Sequence, residues 1–187
     1  MRIRIDDPRR PQVRAMLRAH LADLARHSPP ESRHALDADA LCRPEVTLWS
    51  ASLDGTLAGV AALQAIGPRH GEVKSMRTAP ACLRRGVAAA LLRAIVDEAR
   101  RRDYRRLSLE TGSMAAFAPA HALYRRFGFV DCAPFAHYVE DPNSRFMTLA
   151  LPGADGATRT RGERARTESP GPPGETAPAA SRDAGAQ

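Results

Sequence analysis

The residues best placed to do chemistry by type and spacing are Arg84, Arg85 and Gly86. They stand where an extended stretch, Glu72 to Thr78, passes into a run with helical periodicity. The first backbone N–H groups of a helix lack internal partners, and the helix dipole adds partial positive charge there. Two arginines reinforce that charge, and Gly86 lets the backbone approach a ligand closely. This reads as a diphosphate-binding turn. The loop lacks the G-x-x-x-x-G-K-[ST] spacing and its lysine, so it is not a nucleotide P-loop. Groups able to move protons lie elsewhere: Glu72, Glu110, Tyr124, His34 and His137. The three cysteines form no CxxC or Cys/His spacing, so neither a zinc site nor a disulfide framework is expected, and no metal is assigned.

The pattern predicts elements that would position these groups. Residues 2–6 alternate as a short edge strand, and a helix opens at Pro8 or Pro11, with Val13, Leu17, Leu21 and Leu24 on one face. Ser28-Pro29-Pro30 stops it, and a second short helix is expected near Arg33 to Leu41. Val46 to Ala51, Leu57 to Ile66 and Glu72 to Thr78 read as three strands meandering antiparallel, with Asp54-Gly55 as a hairpin turn. A helix over Gly86 to Arg102 carries the apolar stripe Val87, Leu91, Leu92, Ile95, Val96 and Ala99. Leu107 to Thr111 follows as a strand, which implies a parallel right-handed crossover. Pro119 to Phe127 reads as a helix capped by Gly128, Phe129-Val130 starts a strand, and Arg145 to Leu151 is the last.

Length and composition give one domain. The chain has 187 residues and 43% hydrophobic content, enough for a real core. Residues 1–151 carry the pattern; 152–187 have no aromatic residue and no Val, Ile or Leu, and read as a disordered low-complexity tail. No apolar run spans a membrane and no signal core opens the chain, so a cytoplasmic protein is expected. The net charge of +7 comes almost wholly from arginines scattered through every segment; Lys74 is the only lysine. A nucleic-acid surface wants clustered cations or stacking aromatics, and neither is evident.

Two motifs together resemble the GNAT superfamily of acetyl-CoA-dependent N-acetyltransferases, over about residues 1–151. The strand-loop-helix from Glu72 through Leu83-Arg84-Arg85-Gly86-Val87-Ala88 is similar to the family's R/Q-x-x-G-x-G/A pyrophosphate motif. The run Ala120-x-x-Leu123-Tyr124 to Gly128-Phe129 is similar to its A-x-x-L-Y-x-x-x-G-F signature. The stretches from Ser108 to Gly112, Ala133 to Phe135, and Glu140 to Leu151 resemble a branch of small bacterial acetyltransferases of mostly unassigned substrate. Leu83 replaces the motif's first R/Q, Ala88 its last glycine, and Phe117 a frequent cofactor-contacting asparagine.

The resemblance implies an α/β (α+β) fold. Its mixed, mostly antiparallel sheet of six to seven strands would splay between the fourth and fifth strands, flanked by about four helices. It implies acetyl-CoA as cosubstrate, held by Met76, Arg77 and Thr78 on the strand and by Arg84, Arg85, Gly86, Val87, Ala88 and Ala89 in the loop and helix. The Met76 backbone N–H would face the thioester carbonyl. Tyr124 would protonate the leaving thiolate, its phenol pKa of about 10 lying near that of a thiol. Glu72 matches the position of a glutamate base in histone-modifying members; Glu110, His34 and His137 remain alternatives. Period-two alternation puts Glu72, Lys74 and Met76 on one strand face and Val73, Ser75 and Arg77 on the other. The acceptor pocket is expected from Ser28 to His34, Phe135 to Tyr138 and Arg145, with Arg77 and Arg145 available for a carboxylate. The acceptor would be a small-molecule or peptide amine, and family members often form homodimers through the sheet. Two other readings stay open: a catalytically silent acyl-CoA-binding module, and an arginine-rich nucleic-acid-binding domain.

Overall fold

The computed structural model describes residues 1–27, 29–32 and 36–152. The segment read from sequence as a disordered tail lies outside them from residue 153 on, as do Ser28 and His34 of the expected acceptor pocket.

Seven strands form one sheet: β1 (Arg2–Ile5), β2 (Val46–Leu53), β3 (Thr56–Gly67), β4 (His70–Thr78), β5 (Arg106–Gly112), β6 (Val130–Asp131) and β7 (Ser144–Ala150). Their order is β1-β2-β3-β4-β5-β7-β6, and only the β4–β5 pair is parallel. The parallel pair follows from its connection, because α2 (Val87–Arg101) crosses over between the two strands. Two further helices complete the layers, α1 (Pro11–His27) and α3 (Ala118–Arg126).

The sheet is buried on both faces by two apolar clusters. On one face Val13 and Leu17 of α1 pack with Leu41, Leu48, Val60 and Ala62. On the other, the α2 stripe anticipated above packs with Trp49, Leu63, Val73, Leu107, Leu109, Met147 and the aromatic pair Tyr124 and Phe129. Strand residues of alternate parity feed the two clusters, which is why β3 reads as a nearly unbroken apolar run.

One expected helix is corrected. Near Arg33 to Leu41 the described residues hold only a 3-10 turn, Ala40–Cys42. The Asp37 carboxylate accepts the Ala40 N–H at 2.7 Å, which starts the turn late, and Pro44 bars its extension. A second 3-10 turn, Pro30–Ser32, follows α1. The fold therefore has three α-helices among the described residues, where about four were expected.

Candidate active site

The site is built on two irregularities of β4. The first is a bulge. Ala62 of β3 faces Lys74, but Val60 faces Arg77, so β4 carries one extra residue. Ser75 absorbs it with a φ of 52°, a left-handed conformation uncommon for a residue with a side chain. The second irregularity is the end of pairing with β5 at Glu72 and Ser108, beyond which the two strands part.

The bulge overturns the alternation expected from sequence. Glu72 and Lys74 lie on the α1 side, opposite Gln64 and Ala62. Arg77 returns to that same side and pairs with Asp23 of α1. Met76 faces the other way and packs against the α2-side core. There its sulfur accepts a hydrogen bond from the Tyr124 hydroxyl at 3.6 Å. One inserted residue thus carries Met76 away from Glu72 and toward the α3 tyrosine.

A cavity of about 120 Å³ opens near this divergence, lined among others by His20, Lys74, Ser75, Met76, Glu110 and Tyr124. Burial, and then the charge of Glu110, pushes the Tyr124 phenol well above its ordinary value, so it stays protonated at neutral pH. Burial also raises the Glu110 carboxyl. A hydrogen bond from Ser144 (2.7 Å) and the Lys74 charge oppose that rise, while Glu72 and Asp141 add to it. His20 is pushed down to about 4 by burial and by Arg77, which keeps its ring neutral. The Ser75 hydroxyl is buried and has no hydrogen-bond partner among the described residues.

Beside the cavity lies a buried trio. Lys74 Nζ donates to Glu72 Oε1 at 3.1 Å and to the Tyr138 hydroxyl at 2.7 Å, and that hydroxyl donates to Glu72 Oε1 at 2.6 Å. Glu72 is 1% exposed, and its second oxygen has no partner among the described residues. Burial, followed by the Glu72 charge, drives the Tyr138 phenol far up, so it too is a fixed donor. Phe135 braces Tyr138 edge-on at 5.1 Å between ring centroids.

The expected anion loop sits where β4 leads into α2. Arg84 and Gly86 are both left-handed, with φ of 60° and 80°. Such turns aim successive N–H groups into a concavity that suits an anion. A side chain at Gly86 would meet no heavy atom within 4 Å, so the turn has open space around it. Gly59 brings this helix start onto the sheet, since a Cβ there would come within 2.8 Å of Val87 Cγ1.

Among the residues singled out from sequence, Met76 and Tyr124 meet at the cavity, and Arg84 to Ala89 meet at the start of α2. Glu72 and Tyr138 meet in the trio rather than in the cavity lining. Arg145 is held by Asp131 across β6 and β7, at 2.5 and 2.7 Å. Both arginines considered for a carboxylate therefore already hold one. His137 stacks on Tyr138 at 4.8 Å. Sequence reasoning passed over His20 and Lys74. The second carried a signal: it is the chain's single lysine, set two residues after a glutamate.

Comparison with known proteins decides the lineage. Residues 14–129 match the model of the Acetyltransferase (GNAT) family. The chain belongs to the GNAT family. The chain is 54% identical over 151 residues to the uncharacterized N-acetyltransferase YsnE of Bacillus subtilis strain 168, covering 81% of this chain and all of that one. It is 50% identical over 149 residues to the uncharacterized N-acetyltransferase YedL of Escherichia coli K12, covering 80% and 94%. A GNAT family acetyltransferase from Elizabethkingia anophelis, crystallised with acetyl-CoA bound, shares the fold at a TM-score of 0.58 and 16% identity, over 80% of this chain and 97% of that one. The seven-stranded sheet with its single parallel pair is thus the GNAT architecture. No helix among the described residues is long and apolar enough to cross a membrane.

Proposed function

We propose that the protein transfers an acetyl group from acetyl-CoA to a primary amine of a small molecule or peptide, by direct attack in a ternary complex. The observation that carries this reading is the parting of β4 and β5. It leaves a cavity in which a protonated phenol, the bulged backbone at Met76 and the half-buried Glu110 carboxyl converge.

The chain's own features fit acetyl-CoA. The left-handed turn at Arg84 and Gly86 offers N–H groups and open space for a diphosphate. β4 pairs with β5 only as far as Glu72, so beyond it the β5-facing edge of the strand is open to an extended ligand. When bound, acetyl-CoA supplies an acyl group activated as a thioester. Met76, Arg77 and Thr78 line its path, Arg84 to Ala89 take its diphosphate, and the Met76 N–H polarises the carbonyl. Tyr124 donates the proton that the departing sulfur needs.

Two carboxylates could take the amine's proton. Glu72, favoured from sequence, spends Oε1 on Lys74 and Tyr138. Glu110 lines the cavity with Tyr124, and burial raises its carboxyl, which makes it a stronger base than an exposed carboxylate. We therefore give proton acceptance to Glu110 and the holding of Lys74 to Glu72.

The test is thiol release from acetyl-CoA across a panel of amines. Tyr124→Phe should lower kcat about tenfold or more and leave the acetyl-CoA Kd unchanged, because the ring keeps its packing on Phe129. The rising limb of the pH–kcat/KM profile should vanish in Glu110→Gln and survive in Glu72→Gln. Binding of acetyl-CoA without turnover on any amine would instead establish the silent acyl-CoA-binding module.

A further inference from the structure

The charges around the cavity name the class of acceptor. They come from every element that faces it. Lys74 on β4 is a cation that Glu72 at 3.1 Å partly offsets, and Tyr138 takes another of its donors; at Glu110 its charge still outweighs that of Glu72. His20 on α1 is neutral. Tyr124 on α3 is an uncharged phenol. Glu110 on β5 is the remaining ionisable group in the lining, and Asp141 adds a further negative field on it. Ser144 on β7 contributes a hydroxyl that holds the Glu110 carboxyl in place. Arg77 and Arg145, the cations that a carboxylate-bearing acceptor would want, are bound to Asp23 and Asp131. Among the described residues Glu110 is therefore the one carboxylate in the cavity lining, and no ion pair holds it.

We propose that the acceptor is a small amine with no carboxylate beside the reacting nitrogen, drawn in as an ammonium by Glu110. This rests on the acetyltransfer reading above. An ammonium meets a carboxylate across a short distance in a dry site, where the attraction is strongest. An α-amino acid would place its own carboxylate against Glu110, and like charges in such a site repel.

The chemistry balances. The ammonium gives one proton to Glu110 and becomes a neutral amine. Its lone pair bonds the acetyl carbon as the carbon–sulfur bond breaks. Tyr124 protonates the sulfur and regains a proton from the new amide nitrogen. Glu110 passes its proton to solvent, so one proton leaves for each amide and thiol formed.

The experiment uses the full chain and two matched sets of acceptors: ethylamine, L-alaninamide and L-alanine; phenethylamine, L-phenylalaninamide and L-phenylalanine. Thiol release gives kcat/KM, referred to the ammonium fraction of each acceptor. The amine and the amide should exceed the amino acid at least tenfold in each set. Tetramethylammonium should compete with the amine while acetate does not, and Glu110→Gln should weaken that inhibition at least tenfold. Amino acids used as well as their amides would overturn the inference alone. Acetyl-CoA binding with no turnover on any acceptor would overturn the acetyltransfer reading and this inference with it. The wild-type comparison stands whether or not the Glu110 variant folds.

Discussion

Replacing Lys74 by methionine leaves a buried carboxylate without its cation, and the loss should be large. Glu72 is 1% exposed, and Oε1 accepts two of the trio's three hydrogen bonds. The substitution removes the 3.1 Å pair and leaves only the Tyr138 hydroxyl bonded to Oε1. Breaking a buried ion pair by removing one partner costs about 3–5 kcal/mol, against a total stability of about 5–15 kcal/mol. Removing all three polar groups together, as Glu72→Leu, Lys74→Met and Tyr138→Phe, abolishes the orphaned charge as well. The triple variant should recover most of the loss, because replacing a whole buried ion pair with apolar groups of similar volume is often neutral. Urea unfolding of the wild type and both variants measures this, provided the m-values agree. A Lys74→Met variant within about 0.5 kcal/mol of wild type would refute the reasoning, since that is the scatter of an ordinary surface change. So would a triple variant less stable than the single one, because the cost would then lie in lost packing.

Two further outcomes follow from single side chains. His20 is held at about 4 when folded, against about 6.5 unfolded, so the unfolded chain binds the extra proton and stability falls as pH drops through that window. The wild type should lose about 2 kcal/mol more than His20→Gln between pH 7 and pH 5 in paired urea titrations; parallel pH profiles would exclude the effect. A Cβ at Gly112 would lie 2.6 Å from Phe117 Cδ2. Gly112→Ala should therefore cost about 1–3 kcal/mol of overpacking, and trimming Phe117 to alanine in that background should relieve part of it, as read from Tm.

Much of the fold was legible because its signals are local. The apolar stripe of α2, the Asp54-Gly55 hairpin, the prolines that open α1 and sit inside α3, and the glycine after α3 each act within a few residues. The turn into α2 was legible for the same reason, since the start of a helix and its left-handed glycine are neighbours in the chain. The helix expected near Arg33 to Leu41 gave way to a local rival, the Asp37 side chain that bonds the Ala40 N–H.

The chemical centre divides along the same line. By itself the sequence determined the strand-loop-helix around Gly86 and the tyrosine signature, and through them the family and Tyr124 as a candidate acid. The tertiary structure alone decided what surrounds that tyrosine. The bulge at Ser75 inserts one residue, so a period of two assigned Met76 to the wrong face. Arg77 and Arg145 looked free until Asp23 and Asp131 were brought to them from 54 and 14 positions away in the chain. Glu72 showed no partner in the sequence beyond its own strand until the fold brought the Tyr138 hydroxyl, 66 residues on, to its Oε1. Burial and long-range partners set the charge and reach of a carboxylate, and neither is a property of its neighbours in sequence.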